Sequence, residues 1–272
     1  MKKDIRMIGL DLDGTMLQGW NAVSPRVEAA LRRAIDAGIV VLPATGRQLG
    51  SIPRAVLDIP GIRYALTTNG AKVFDLLTGE AIHSDCLSRE TALSLLREMR
   101  GYNAATALYL EGAGYYETLP SDAEQEFSPD LLHYLVNTRT QIPSLEELIA
   151  AHTGLVEKFS LTFWDLEERA RMQRAFERRD DCFLCSSSGR NLEVNSPTAN
   201  KGSGLLALAR FLGIQPEHIM AMGDYSNDIP MLRAAGYGVA MANALEDVKA
   251  AADAVTLPCA EDGAAVAIES LF

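Results

Sequence analysis

The tightest constraint on this fold is a short apolar run, Met7–Leu10, that closes on two carboxylates one residue apart, Asp11 and Asp13. Four consecutive apolar residues bounded by polar ones predict a strand buried on both faces, as in a parallel sheet. Ser24-Pro25 then starts a helix, with serine as N-cap and proline in the first turn. Val27, Ala30, Leu31, Ala34 and Ile35 follow at helical spacing, and Gly38 stops it. Ile39–Ala44 predicts a second buried strand, Gln48–Leu57 a helix and Tyr64–Thr68 a third strand. Strands alternating with helices imply parallel pairing through right-handed crossovers, an α/β core of Rossmann-like type.

From about residue 83 that rhythm breaks. Ala107–Leu110, Gly114–Thr118 and Phe159–Trp164 predict strands, and Leu166–Arg178 predicts a charged helix. Phe183–Ser187 and Asn191–Val194 flank Ser188-Gly189-Arg190 as a hairpin. After Lys201 the alternation resumes, with helices near 202–212, 229–235 and 245–252 between strands Ile219–Met222, Tyr237–Met241 and Ala254–Leu257. The expected architecture is a two-part α/β core, residues 1–82 and 190–272, interrupted by an inserted α+β cap over 83–189. A length of 272 residues suits two such domains at about 150 residues each.

Lys and Arg number 25 against 36 Asp and Glu, a net charge of −11. So acidic a chain repels phosphate backbones and anionic lipid, which argues against nucleic acid or a membrane as partner. A small phosphorylated metabolite stays open to it, because one cleft can reverse the sign locally. No run of 18 apolar residues occurs, and the apolar stretch before Asp11 is too short for a signal peptide, so the cytoplasm is the default. Cys182 and Cys185 form a C-x-x-C without a second pair or a nearby histidine, and read as two small apolar residues.

Ligands of open α/β sheets bind beyond the carboxyl ends of strands, where this chain places its polar clusters. Asp11-Leu12-Asp13-Gly14-Thr15 follows the first strand and Thr45-Gly46-Arg47 the second; Gly223-Asp224-Tyr225-Ser226-Asn227-Asp228 follows the strand over 219–222. Lys201 opens a helix in Asn200-Lys201-Gly202. Each has a plainer reading alone: a solvated turn, a capped helix start, an exposed lysine, an Asn-Asp turn. Together they ask for one explanation. Acids from two strand ends repel unless a cation sits between them, and oxygen ligands without His or Cys point to Mg²⁺ rather than zinc. Thr, Lys and Asn around such a centre suit a phosphoryl group.

The order DLDGT, ATGR, NKG and GDYSND resembles the haloacid dehalogenase superfamily of phosphohydrolases. The place and size of the insert, Thr68–Ala71, and the Leu-Glu-Val before the lysine are similar to its Cof-type branch. The resemblance implies Asp11 as nucleophile and Mg²⁺ ligand. It implies Asp13 as proton donor and acceptor whose backbone carbonyl also binds the metal, and Asp224 as the further metal ligand. Leu12, Thr45, Gly46, Lys201 and Asn227 would hold phosphate, with Asp228 supporting from behind and Arg47 ordering the loop or facing the substrate. One position departs from the pattern: Thr198 stands where a glycine is often found, although Glu193 and Lys201 keep the usual separation. The implied activity is Mg²⁺-dependent hydrolysis of small phosphomonoesters, such as sugar phosphates or phosphorylated cofactors, through an aspartyl-phosphate. A phosphotransferase such as a phosphohexomutase, or a sensor of a phosphorylated ligand, are the alternatives. Selectivity would lie in the cap, where Tyr115, Tyr116, Trp164 and Arg190 are available.

Overall fold

The computed structural model describes residues 4–19, 21–119, 123–152 and 155–272; the start of the segment weighed as a signal peptide, residues 1–3, lies outside them. The described chain divides into two compact units. One comprises Met1–Arg47, Ile52–Ser84 and Asn200–Phe272, the other Gln48–Ser51 and Asp85–Ala199.

The first unit is built on a five-stranded, all-parallel sheet. Its order is Ala254–Val255, Tyr237–Ala240, Ile219–Gly223, Met7–Leu10 and Val40–Pro43. The strand Met7–Leu10 is buried throughout, as an apolar run flanked by two parallel neighbours must be. Met7, Ile219 and Ala221 turn to one face, where Leu205, Leu208, Met231 and Leu232 cover them. Helix Pro25–Asp36 buries Val27, Ala30, Leu31 and Ala34, and the Ser24 hydroxyl accepts the Val27 amide at its start.

One expectation is met and extended here, and one changes. Tyr64–Thr67 runs parallel beside Val40–Pro43, through the bridge Ala44 to Leu66, with the Thr45 amide donating to the Leu66 carbonyl at 2.9 Å. It also pairs antiparallel with Lys72–Asp75, which pairs in turn with Ala81–Ser84. The reason is the abrupt return at Thr68, Asn69 and Gly70, three successive residues with φ of 48°, 59° and 94°. That left-handed turn sends the chain straight back along the strand it has just left. The expected helix over 48–57 is broken by Pro53 into a short turn, Leu49–Ser51, and the single-turn helix Arg54–Leu57.

The second unit carries a six-stranded sheet in the order Thr140–Gln141, Ala113–Tyr116, Ala105–Leu110, Val156–Thr162, Asn191–Asn195 and Phe183–Cys185. Residues 190–195 were expected in the core, but their pairing with Val156–Thr162 and Phe183–Cys185 places them in this sheet. Leu108, Phe159, Leu161, Leu192 and Val194 face helices Arg89–Met99, Leu145–Ala151 and Leu166–Phe176 in one apolar cluster. Cys182 and Cys185 are buried, and neither is in a disulfide. Burial pushes the Cys182 thiol up to about 11, as befits a packed rather than a reactive sulfur. No helix among the described residues is long and apolar enough to cross a membrane.

Candidate active site

All the polar clusters singled out above lie in the first unit. The Asp11 amide donates to the Met222 carbonyl at 2.9 Å, carrying the sheet ladder one residue past Leu10. Asp11 and Asp224 therefore emerge side by side. Immediately after Asp11 the chain turns: the Leu12 carbonyl accepts the amides of Met16 and Leu17 at 3.0 and 2.8 Å. Gly14 takes φ of +82°, and a Cβ there would lie 2.3 Å from Asp224 Oδ2. Only a glycine lets the loop lie flat against that carboxylate.

Lys201 is the first residue of helix Lys201–Leu212, whose start is fixed by a capping box. The Asn200 side chain accepts the Ser203 amide while the Ser203 hydroxyl accepts the Asn200 amide. The Thr68–Gly70 turn packs directly on this start, and a Cβ on Gly70 would sit 2.1 Å from the Asn200 carbonyl oxygen. The lysine is thus delivered inward, fully buried. Its Nζ donates to Oδ1 of Asp11 and Oδ1 of Asp228, at 2.5 Å each. Asp228 Oδ2 accepts the backbone amides of Asp224 and Tyr225, so Asp228 braces the loop and the lysine together. Asp224 receives the Thr15 hydroxyl on Oδ1 at 3.1 Å and the Asn243 amide on Oδ2 at 3.3 Å.

The second cluster lies beside them. Thr45 is buried, its Oγ1 accepting the Arg47 amide at 3.0 Å, and half-buried Gly46 follows it. The Arg47 guanidinium, 8% exposed, forks onto Asp13, with Nε to Oδ2 at 2.9 Å and Nη2 to Oδ1 at 2.5 Å. Asn227 donates to the Asn69 side-chain oxygen at 3.2 Å.

The electrostatics are unbalanced. Burial pushes the Asp11 carboxyl well above its usual range; Lys201 pulls it back, while Asp228, Asp224 and Asp13 push it further. Burial and the Asp228 charge push Asp224 up to about 7, opposed by the Thr15 hydrogen bond. For Lys201 burial works against the charge, yet Asp11 and Asp228 outweigh it and hold the ammonium above its ordinary value. One carboxylate oxygen from each of Asp11, Asp224 and Asp228 lies within 4.8 Å of the others. Three carboxylates against one ammonium leave two negative charges, which a divalent cation fits. The oxygen-only donor set suits Mg²⁺. Of the three, Asp228 is the most committed to protein partners.

Thr15, Asn69 and Asn243 were not among the expected site residues. Thr15 belongs to the motif already noted, and Asn69 to the turn after Tyr64–Thr67. Asn243 follows the strand Tyr237–Ala240, so the strand-end rule that found Asp11 and Asp224 reaches it too. In the second unit, Tyr115 packs against the apolar cluster, and Trp164 meets Phe127 edge-on at 5.7 Å.

A family model of haloacid dehalogenase-like hydrolases matches residues 8–268. The chain belongs to the haloacid dehalogenase-like hydrolases, as the motifs implied. It is 32% identical to the phosphatase YwpJ of Bacillus subtilis (strain 168), over 98% of this chain and 100% of that one. It is 31% identical to the pyridoxal phosphate phosphatase YbhA of Escherichia coli (strain K12), over 92% of each. A solved haloacid dehalogenase-like hydrolase from B. subtilis has the same fold, with a TM-score of 0.87 at 30% identity, covering 98% of this chain and all of that one. With that family, fold and set of relatives, the chain is an enzyme, a phosphatase of this superfamily.

Proposed function

We propose that this chain hydrolyses small phosphomonoesters with Mg²⁺, through an aspartyl-phosphate on Asp11. The observation that carries the reading is the buried Lys201 bridge between Asp11 and Asp228 beside Asp224, an acid cluster one cation short of balance. Asp11, Asp224 and the backbone carbonyl of Asp13 would hold Mg²⁺, which when bound offsets the charge of the carboxylates and of the phosphate.

An Asp11 oxygen attacks phosphorus, and the new O–P bond forms as the ester O–P bond breaks. Asp13 gives its proton to the departing alkoxide, then takes one from the water that attacks phosphorus. The acyl-phosphate P–O bond breaks, freeing inorganic phosphate and Asp11. Lys201, the Thr45 hydroxyl, Asn227 and the amides of Leu12 and Gly46 offer donors to the phosphate oxygens, while Asp228 positions Lys201. Proton donation requires Asp13 to leave the Arg47 fork, since a carboxylate gripped by two guanidinium N–H groups is in its acceptor form. A relative named for pyridoxal phosphate supports small phosphorylated metabolites as the substrate class.

The test is phosphate release from an aryl phosphate with Mg²⁺ and with chelator, on the wild type and on Asp11→Asn. Release should need the metal, and the variant should lose at least about a thousandfold in turnover while keeping its melting profile. Equal release with and without chelator, or retained turnover in D11N, sinks the reading.

A further inference from the structure

The two loops that supply the proposed Mg²⁺ ligands are joined by a residue outside all four motifs. Asn243 Nδ2 donates to the Gly14 carbonyl at 2.9 Å and to Asp224 Oδ2 at 3.3 Å. Its Oδ1 accepts the Cys259 backbone amide at 2.8 Å. That third bond fixes which way the amide points, because the flipped side chain would set an oxygen against two oxygens and a nitrogen against an N–H. Gly14 adjoins the Asp13 carbonyl, and Asp224 is the carboxylate that Gly14 lies against. One planar amide therefore spans the loop after Met7–Leu10 and the loop after Ile219–Gly223.

We infer that Asn243 is a positioning residue for the metal site, holding Asp224 and the Asp13–Gly14 loop at the separation a divalent cation needs. This rests on the Mg²⁺ reading above. The choice of side chain follows from charge. An arginine or lysine here would aim the Asp224 carboxylate equally well but would neutralise it and compete with the metal. An amide orients the carboxylate and leaves its charge for the cation. Thr15 does the same from the other side, through Oδ1. The two neutral donors clamp the carboxylate at both oxygens, whereas the ammonium of Lys201 is spent on Asp11 and Asp228. Groups that orient metal ligands commonly set metal affinity within one to two orders of magnitude. Asn243 is itself exposed, which places its effect at the lower end.

The experiment is calorimetric Mg²⁺ titration of the folded wild type, Asn243→Ala, Thr15→Val and the double variant, without substrate. Asn243→Ala should bind Mg²⁺ about tenfold more weakly. The double variant should lose less than the product of the single losses, because both residues act through one carboxylate. Asn243→Gln, which keeps an amide on a longer arm, is read where truncation costs the fold, and it too should lose affinity. Binding within twofold of wild type in the folded variants, or strictly independent losses, overturns the inference while leaving the Mg²⁺ reading intact. A wild type that binds no Mg²⁺ overturns both.

Discussion

Both units bury a lysine against carboxylate, and the two arrangements differ in what they leave unanswered. In the second unit Lys158 donates to Glu193 and lies 4.9 Å from the centre of the Tyr109 ring, whose hydroxyl accepts from Arg139. One carboxylate answers the ammonium and the charge of half-buried Arg139 there, with an aromatic face beneath the lysine. In the first unit Lys201 meets two carboxylates and a third stands by. A closed pair is what a fold needs to bury charge; an open cluster costs stability and persists because something else completes it. Burial of a lysine alone does not mark a site. The surplus of acids around it does.

The largest contrast should come from removing each lysine's balance. Lys201→Met strands Asp11 and Asp228 without their cation, and turnover on an aryl phosphate should fall at least about a hundredfold. Urea unfolding should register about 3–5 kcal/mol of lost stability. Undiminished turnover in K201M would erase the distinction between the two lysines.

A somewhat smaller effect, confined to stability, is expected in the second unit. Glu193→Ala leaves the Lys158 ammonium buried and unpaired, at a cost of about 3–5 kcal/mol by urea unfolding. The double change Lys158→Met, Glu193→Leu should recover most of that loss, because an apolar pair of similar volume avoids desolvating two charges. Mg²⁺ affinity should stay at the wild-type value in both. A folded E193A variant with weakened Mg²⁺ binding would mean that the closed pair is coupled to the metal after all.

The same contrast explains what could be read in the sequence. Asp11, Asp13, Thr45, Asp224 and Asp228 were legible because each follows an apolar run within a few residues, so that local pattern and topology alone bring them together. Lys201 was legible only through the company it keeps, since a lysine at a helix start is ordinarily solvated. The Lys158–Glu193 pair was invisible. The two lie 35 residues apart on neighbouring antiparallel strands, and Glu193 stands opposite Ser160 rather than Lys158. Their meeting is a diagonal contact set by register, which no short motif encodes. The reversal at Thr68–Gly70 was missed for a related reason: Asn-Gly marks a turn, but only the return strand Lys72–Asp75 decides that Tyr64–Thr67 takes an antiparallel partner beside its parallel neighbour.

Thr198 offers the smallest test and the finest one, because it is where this chain departs from the family's frequent glycine. Asp85 lies at one end of the second unit's main segment, and Ser196 and Thr198 lie at the other. The Ser196 hydroxyl donates to Asp85 Oδ1 at 2.6 Å and the Thr198 hydroxyl to Oδ2 at 2.7 Å. One carboxylate thus ties the two chain crossings together. Ser196 is buried and Thr198 exposed, so water can replace the threonine hydroxyl but not readily the serine's. Thr198→Gly should therefore cost about 1 kcal/mol in urea unfolding, from the lost hydrogen bond and the looser unfolded chain. Ser196→Ala should cost more, about 1–3 kcal/mol, because it leaves a half-buried carboxylate oxygen short of a donor. If T198G proves neutral or stabilising, the threonine adds nothing to the tie, and Ser196 alone holds the crossing.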